Sequence, residues 1–375
     1  MRGNVAEVEI GIGKAGRRSY GFGDISILPV RRTRDPEDVD ISWEIDAYKF
    51  GIPVLAAPTD GVTSPATAIA MGRLGGAGVV NLEGLWTRHE DPDTLLDELA
   101  KLDDEAAASR LRELYAAPIR GELIIQRMQE VKRAGVVAAG ALSPQRVNEF
   151  AKHIAQVELD LLVITGTVVS AEHVTRNGDP LNLKRFIREF EVPTLVGGCA
   201  SYQAALHLMR TGAVGVLIGA GSGEISTTQS VLGIGAGRAT AVADARGARM
   251  RHLDETGVYV HIIADGGIYN GGDLAKAFVC GADAVMLGRP LAAATEAPGR
   301  GFNWTNSIAH PTLPRGRRVA GATRGTLEEI LVGPARSNDG ELNLCGALRR
   351  SMAMCGYQTL KEFQKADVTV TGGTQ

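Results

Sequence analysis

The residues with the clearest chemical potential lie in a glycine-rich loop near the middle of the chain. The stretch Gly215–Gln229 begins as an apolar strand end and continues as Gly-Ala-Gly-Ser-Gly-Glu-Ile-Ser-Thr-Thr-Gln. Glycine lets the backbone approach a ligand closely, which is typical of an active-site loop. The polar side chains that stand out here are Glu224, Ser226 and Thr228. An alcohol such as Ser226 needs an adjacent base to act as a nucleophile, and no His or Asp lies near it in the loop.

Two further glycine turns follow apolar runs later in the chain. One is 264–268, with the sequence Ala-Asp-Gly-Gly-Ile, and the other is 287–290, Leu-Gly-Arg-Pro. Backbone N–H groups in such turns can point at phosphate oxygens, and the Asp265 carboxylate can accept hydrogen bonds from ribose hydroxyls. The alternative is that Asp265 only caps the following helix and that the glycines only make the turn.

These loops need strands to position them, and the chain supplies short apolar runs between helix-like segments. The runs lack clean alternation, as expected for parallel strands buried on both faces. There are eight of them: Pro53–Ala57, Ala77–Val80, Gly135–Ala139, Leu159–Thr165, Pro193–Gly197, Val214–Ile218, Val260–Ala264 and Ala284–Leu287. Eight strand–helix units predict an α/β fold, a (β/α)8 TIM barrel with its chemistry at the carboxyl ends of the strands. A doubly wound sheet is the alternative, but it needs a glycine-rich turn after its first strand, and Gly51–Thr59 has none.

Two segments interrupt this rhythm. Residues 86–133 are charged and helix-forming, which predicts an extended helical connection between strands 2 and 3. Residues 299–343 are rich in Gly, Pro, Arg and Asn, which predicts an irregular flap after strand 8. An amphipathic pattern returns at Leu344–Phe363. We expect residues 1–375 to form one barrel domain.

Composition narrows the class of protein. The chain has 375 residues and a net charge of −3, with acidic and basic residues well mixed, so we expect no nucleic-acid partner. No apolar run is long enough to cross a bilayer, so we expect no membrane partner. The four cysteines show no C-x-x-C spacing and the histidines no metal-ligand spacing, which indicates reduced thiols in a cytoplasmic protein.

Two less specific features are expected to be structural. Cys199 follows strand 5 and could reach the barrel mouth, but a small buried cysteine is the commoner case. The basic run Arg315–Arg318 is more readily interpreted as a solvated loop than as a phosphate-binding segment.

Several stretches together resemble one enzyme family. The loop Gly215–Gln229 resembles the nucleophile loop of IMP dehydrogenases and GMP reductases, usually Gly-x-Gly-x-Gly-Ser-x-Cys-x-Thr. Residues 262–299, residues 52–80 and Leu348–Met352 are similar to that family's later strands, first two strands and C-terminal Leu-Arg-x-x-Met. The opening Gly13–Gly21 looks like a short bacterial branch that lacks the regulatory CBS domains.

The resemblance implies a homotetramer that oxidises a purine nucleotide (IMP, XMP or GMP) with NAD, in the manner of IMP to XMP in guanine nucleotide biosynthesis. It assigns candidate roles by position. Substrate would be bound by Asp265, Gly266, Gly267, Gly288, Arg289 and Glu224; catalysis would fall to Ser226, Thr228 and Glu328. The NAD side would include Asp60 and Thr165, and a potassium ion would take backbone carbonyls of Gly221, Gly223 and Ser226.

The sequence departs from the family in the site itself. Ser226 stands at the position of the attacking cysteine, and Glu224 and Arg289 stand at positions of phosphate-binding serines. If Glu224 and Arg289 pair, the phosphate pocket is filled by the protein's own charges. Thr165 occupies the place of an aspartate on the nicotinamide side.

Two alternatives therefore stay open. One is a catalytically inactive purine-nucleotide-binding or regulatory homologue. The other is an FMN-dependent TIM-barrel oxidoreductase, because a strand-8 arginine such as Arg289 grips the FMN phosphate in those barrels.

Overall fold

Eight parallel strands form a closed barrel in the computed structural model, which describes residues 7–176, 180–221 and 223–371. The strands are β1 (Val54–Ala56), β2 (Ala77–Asn81), β3 (Ala139–Leu142), β4 (Leu161–Thr165), β5 (Thr194–Cys199), β6 (Gly215–Ile218), β7 (His261–Asp265) and β8 (Ala284–Leu287). Each strand pairs in parallel with the next, and β8 pairs with β1. The predicted TIM barrel is confirmed.

Helices surround the barrel and fill the connections. They are α1 (Pro65–Arg73), α2 (Pro92–Leu99), α3 (Asp104–Ala116), α4 (Gly121–Arg133), α5 (Val147–Val157), α6 (Leu183–Phe190), α7 (Tyr202–Met209), α8 (Thr228–Leu232), α9 (Arg238–Thr256), α10 (Gly271–Cys280), α11 (Arg289–Ala292), α12 (Leu327–Leu331), α13 (Leu344–Met354) and α14 (Leu360–Phe363). In the described part of the chain, none of them has the length and apolar character needed to cross a membrane.

The third strand lies further along the chain than its apolar run predicts. The run at Gly135–Ala139 was expected to form it, but β3 begins at Ala139 and ends at Leu142. The N–H of Ala138 instead donates to the Asp160 carboxylate at 2.8 Å. Alanine and glycine continue through residue 141, so hydrophobicity alone does not mark where the strand begins.

The barrel interior is packed with side chains and closed at its amino end. Leu55, Val79, Leu217 and Ile263 belong to one buried cluster inside the barrel. An antiparallel hairpin, Trp43–Ile45 with Tyr48–Phe50, adds Trp43 and Phe50 to the same cluster. This packing leaves the carboxyl end of the barrel as the face for a ligand site.

The segment between β2 and β3 holds helices α2, α3 and α4, so the extended helical connection is observed. The segment after β8 is an excursion over the barrel, residues 299–343, that contains a short antiparallel pair and α12. The excursion packs onto the helical connection, because Trp304 and Ile308 share a buried cluster with Leu96 and Leu111.

The expectation that Arg315–Arg318 is a solvated loop holds for Arg317, which is exposed, and is wrong for Arg318. The Arg318 side chain is only 4% exposed and donates to the carbonyls of Leu99 and Leu102, both at 2.7 Å. Its guanidinium also lies 4.0 Å above the centre of the Phe302 ring. Arg318 therefore ties the excursion to the helical connection.

Candidate functional site

A cavity of about 640 Å³ opens at the carboxyl ends of the strands. Loops after β1, β2, β3, β4, β6, β7 and β8 contribute to its wall, as does the excursion through Asn303 and Arg315. Most of the residues that the sequence singled out line this cavity: Thr165, Gly221, Gly223, Glu224, Ser226, Thr228, Asp265, Gly266, Gly267, Gly288 and Arg289. The barrel thus brings them to one place.

The loop after β6 places the hydroxyls of Ser226 and Thr228 against each other. Ser226 Oγ donates to Thr228 Oγ1 at 3.0 Å and accepts the backbone N–H of Thr228 at 3.3 Å. Gly221 lies at φ +61° with its Cα against Thr228, where an added Cβ would come within 2.4 Å of the threonine Cβ. The glycine is therefore needed for this close approach.

Glu224 and Arg289 form an ion pair across the cavity. Glu224 Oε2 lies 2.8 Å from Arg289 Nη1, with side chains that are 27% and 52% exposed. The arginine follows Gly288 at the start of α11, and its guanidinium lies 5.2 Å from the centre of the Tyr269 ring. The two opposite charges expected at the phosphate end of the site thus lie in contact, although Glu224 Oε2 accepts no hydrogen bond with good geometry from the described residues.

The loop after β6 is held in place by the excursion. Arg317 Nε donates to the Glu224 carbonyl at 3.0 Å, and the Arg317 N–H donates to the Ile225 carbonyl at 2.9 Å. The N–H of Gly316 donates to Thr227 Oγ1 at 2.6 Å. The chain from Glu224 to Thr227 is therefore held by contacts from outside its own loop.

The turn after β7 holds a perturbed carboxyl group. Burial raises the pKa of Asp265 to about 6, and the positive charge of Arg238 opposes that rise. Gly266 and Gly267 follow with φ of +81° and +73°, a backbone conformation that favours glycine.

Arg238 is a functional candidate that the sequence reasoning missed. It is the first residue of α9, and an added Cβ at Gly267 would lie 2.0 Å from its Nε. Burial lowers the pKa of Arg238. The signal available in the sequence was its place at the end of a second glycine-rich run, residues 233–237, next to a helix.

Two predicted site residues do not reach the cavity. Asp60 is fully buried, where its carboxylate accepts the N–H of Leu85 at 2.9 Å and the hydroxyl of Tyr115. Glu328 is exposed on α12, in a turn whose amino end is capped by Thr326 and Glu329. The place of Asp60 in a loop and of Glu328 on a short helix does not fix where either side chain points, so position along the chain did not reveal these orientations.

Cys199 does not provide the missing thiol. It is buried at the end of β5, and burial raises its pKa to about 12. A thiol with so high a pKa carries almost no thiolate near neutral pH, and the thiolate is the nucleophile. In the parts of the chain that the structure describes, no group of three His, Cys, Asp or Glu side chains could hold a metal ion.

Comparison with known proteins gives a consistent result. Residues 19–310 match the model of the IMP dehydrogenase / GMP reductase domain. The chain is 50% identical to an uncharacterized oxidoreductase of Mycolicibacterium smegmatis, over 97% of this chain and 99% of that one. It is 27% identical to the inosine-5'-monophosphate dehydrogenase of Methanocaldococcus jannaschii, over 93% and 92% of the two chains.

A solved structure agrees. The IMP dehydrogenase/GMP reductase-like protein of Corynebacterium glutamicum is 47% identical, superimposes with a TM-score of 0.92, and covers 97% of each chain. The similarity therefore extends over the barrel, the helical connection and the excursion.

Proposed function

Because the chain belongs to the IMP dehydrogenase/GMP reductase family, we propose that it binds a purine ribosyl compound and does not perform the family's cysteine-dependent step. A purine ribosyl compound here means a purine nucleoside or nucleotide. IMP, XMP and GMP are the nucleotides that the family resemblance suggests. The binding site is the cavity at the mouth of the barrel.

One observation carries this proposal. Ser226 occupies the nucleophile position, and within the described residues its hydroxyl is hydrogen bonded to Thr228 rather than to a base. A serine without a base is a poor nucleophile at neutral pH, whereas a cysteine supplies some thiolate unaided. The covalent attack on the purine therefore lacks its reagent.

The remaining parts of the cavity suit a ribosyl ligand. Asp265 would accept hydrogen bonds from ribose hydroxyls in its ionised form. Gly266, Gly267 and Gly288 would offer backbone N–H groups beside it. The proposal includes a cytoplasmic homotetramer, which the family resemblance supports.

Oxidation of the purine nucleotide with NAD is the second candidate, favoured by the 50% identity to proteins named oxidoreductases. Thr165 would lie on the NAD side, and carbonyls of Gly221, Gly223 and Ser226 would bind potassium. NAD would accept a hydride from the purine when bound. Water activation would need a residue other than Glu328, which lies outside the cavity. Arg289 already pairs with Glu224, which weighs against the alternative in which Arg289 binds the phosphate of FMN.

Activity measurements with one added thiol test the proposal. We would follow NADH formation with IMP or inosine and NADPH oxidation with GMP or guanosine, in potassium-containing buffer, for the wild type, Ser226→Cys and the control Ser230→Cys. Ser230 is exposed on α8, two residues past Thr228 and outside the cavity. We expect the wild type below about 0.01 per second, against roughly 10 per second for a typical enzyme.

We expect Ser226→Cys to raise that rate at least about tenfold, because it restores a group with accessible thiolate, and Ser230→Cys to leave it unchanged. Wild-type turnover at an ordinary enzymatic rate would overturn the proposal in favour of the oxidoreductase. Absence of binding to any purine nucleoside or nucleotide in a calorimetric titration would remove both.

A further inference from the structure

The corner of the cavity between β6, β7 and β8 has an unusual charge arrangement for a phosphate site. The loops after β7 and β8 are where TIM barrels commonly hold a phosphate group, through backbone N–H groups and a helix start. Here a carboxylate, Glu224, lies against the one cationic side chain that begins α11, Arg289. The pair contributes no net positive charge to the corner.

A phosphate dianion entering this corner would meet the Glu224 carboxylate. Two like charges a few ångströms apart repel each other even at the intermediate effective dielectric of a protein surface, and a dianion doubles the effect. Arg289 cannot offset this fully, because its Nη1 is already 2.8 Å from Glu224 Oε2. The Glu224 carboxylate therefore opposes the charge of a nucleotide in this corner, against the attraction of Arg238 beside Gly267 and of Arg315 in the cavity wall.

The loop that carries the Glu224 carboxylate is held in place by neighbouring residues. Arg317 binds the carbonyls of Glu224 and Ile225, and Gly316 binds the Thr227 hydroxyl. Arg289 is in turn placed over the Tyr269 ring. The ion pair is thus built from two positions that are each held by neighbouring elements.

We infer that the ligand of this cavity is a purine nucleoside, without a 5'-phosphate, and that the Glu224–Arg289 pair selects against the nucleotide. This rests on the proposed function, whose site it narrows. A neutral 5'-hydroxyl can donate to a carboxylate and accept from a guanidinium, so it fits both members of the pair. Of the two members of the pair, a phosphate can use only the arginine.

Paired titrations test this selection. Calorimetry would compare inosine with IMP, and guanosine with GMP, at one pH and at physiological salt, for the wild type and Glu224→Gln. Glutamine keeps the size of the side chain and removes its charge. We expect the wild type to bind each nucleoside at least about tenfold more tightly than its nucleotide. We expect Glu224→Gln to bring the nucleotide to equal or tighter binding, since Arg289 is then released.

Glu329→Gln is the matched control. Glu329 pairs with Arg336 at the same 2.8 Å distance, with 23% and 63% side-chain exposure, but outside the cavity. Glutamine preserves the capping role of Glu329 at the start of α12. We expect this variant to keep the wild-type preference, and thermal unfolding of each variant to show that it is folded.

The outcomes separate the two proposals. Tighter binding of IMP or GMP than of the nucleosides by the wild type would overturn the phosphate selection while supporting a purine site. An unchanged preference in a folded Glu224→Gln variant would also overturn it. Failure of all four ligands to bind would overturn the proposed function itself.

Discussion

Two carboxyl groups, Asp265 and Asp60, have similar pKa values for the same reason but different surroundings. Burial raises the pKa of each from 3.8 to about 6. Asp265 lines the cavity, whereas Asp60 is enclosed by Leu85, Tyr115 and other residues beneath the loops. Substituting Asp265 and Asp60 one at a time therefore separates an effect of carboxyl ionisation on ligand binding from its effect on folding.

We predict that the affinity for inosine increases as the pH rises through about 6, where half of the Asp265 carboxyl groups are ionised, and levels off roughly one pH unit higher. Only the ionised Asp265 accepts hydrogen bonds from both ribose hydroxyls without donating, and inosine has no group that titrates near pH 6. Asp265→Asn should weaken binding and flatten this profile. Calorimetric titration between pH 5 and 8 measures it.

Asp60→Asn is the control, and it should retain the pH profile of binding. Both raised pKa values favour the protonated carboxyl in the fold. Their stabilising contribution is present below pH 3.8 and is lost as the pH rises through about 6. Each asparagine variant should therefore flatten the pH dependence of unfolding, but a flattened binding profile in Asp60→Asn would contradict the assignment of Asp265.

Residue positions at strand ends were predictable from sequence, and side-chain directions in loops were not. Asp265 is the last residue of β7 and Arg289 lies two residues after β8, so the barrel rule alone places them at its mouth. Ser226 lies farther from its strand, in the glycine-rich loop after β6. Asp60 lies four residues beyond β1, and there the chain turns its carboxylate inward. Arg238 lies at a helix start and reaches the site only because Gly267 leaves room.

At the scale of elements, two arginines join the excursion to the helical connection, one with a buried side chain and one with a partly exposed side chain. Arg318 is buried and donates to two carbonyls of the α2–α3 segment, beside Asp104. Arg300 also bridges the two segments, through Asp93 and Asp97, but its side chain is 37% exposed. Buried donors contribute much more to stability than exposed ion pairs do.

We predict that Arg318→Met lowers the free energy of unfolding by about 3 kcal/mol, because two buried carbonyls lose their donors. Methionine retains the length of the side chain and its packing on Phe302. Arg300→Met should cost less than about 1 kcal/mol. Urea unfolding of both variants compares them, and equal losses would show that burial does not decide the strength of this contact.

Most of the barrel strands could be predicted from hydrophobic patterns in the sequence. Seven of the eight apolar runs overlap their strands closely, because a Gly, Pro, Asn or Asp follows each of these runs and marks its end. The run at Gly135–Ala139 meets β3 only at its last residue, since small apolar residues continue past it. The contacts of Arg318 depend on two distant segments meeting, which no local pattern encodes.

At the scale of the whole molecule, the described chain leaves an apolar hairpin in solvent. The strands Glu7–Gly11 and Lys14–Arg17 pair with each other, and Val8, Ile10 and Ile12 alternate along the first strand and its turn. Their side chains are 47%, 72% and 105% exposed. A two-stranded hairpin is marginally stable alone, and exposed apolar groups of this kind mark association surfaces.

We predict that the chain of 39.6 kDa forms a homotetramer in solution and that this hairpin contributes to its contacts. Burying each of the three side chains against another copy would contribute about 1.5 kcal/mol or more. Replacing Val8, Ile10 and Ile12 with serine should therefore yield a smaller assembly by light scattering. Serine at Val258 and Met354, which are 54% and 55% exposed elsewhere, should leave the tetramer intact. A wild-type monomer would contradict the predicted tetramer. A tetramer that survives the hairpin substitutions would contradict the role of the hairpin in its contacts, because another copy would then not be covering these exposed apolar side chains.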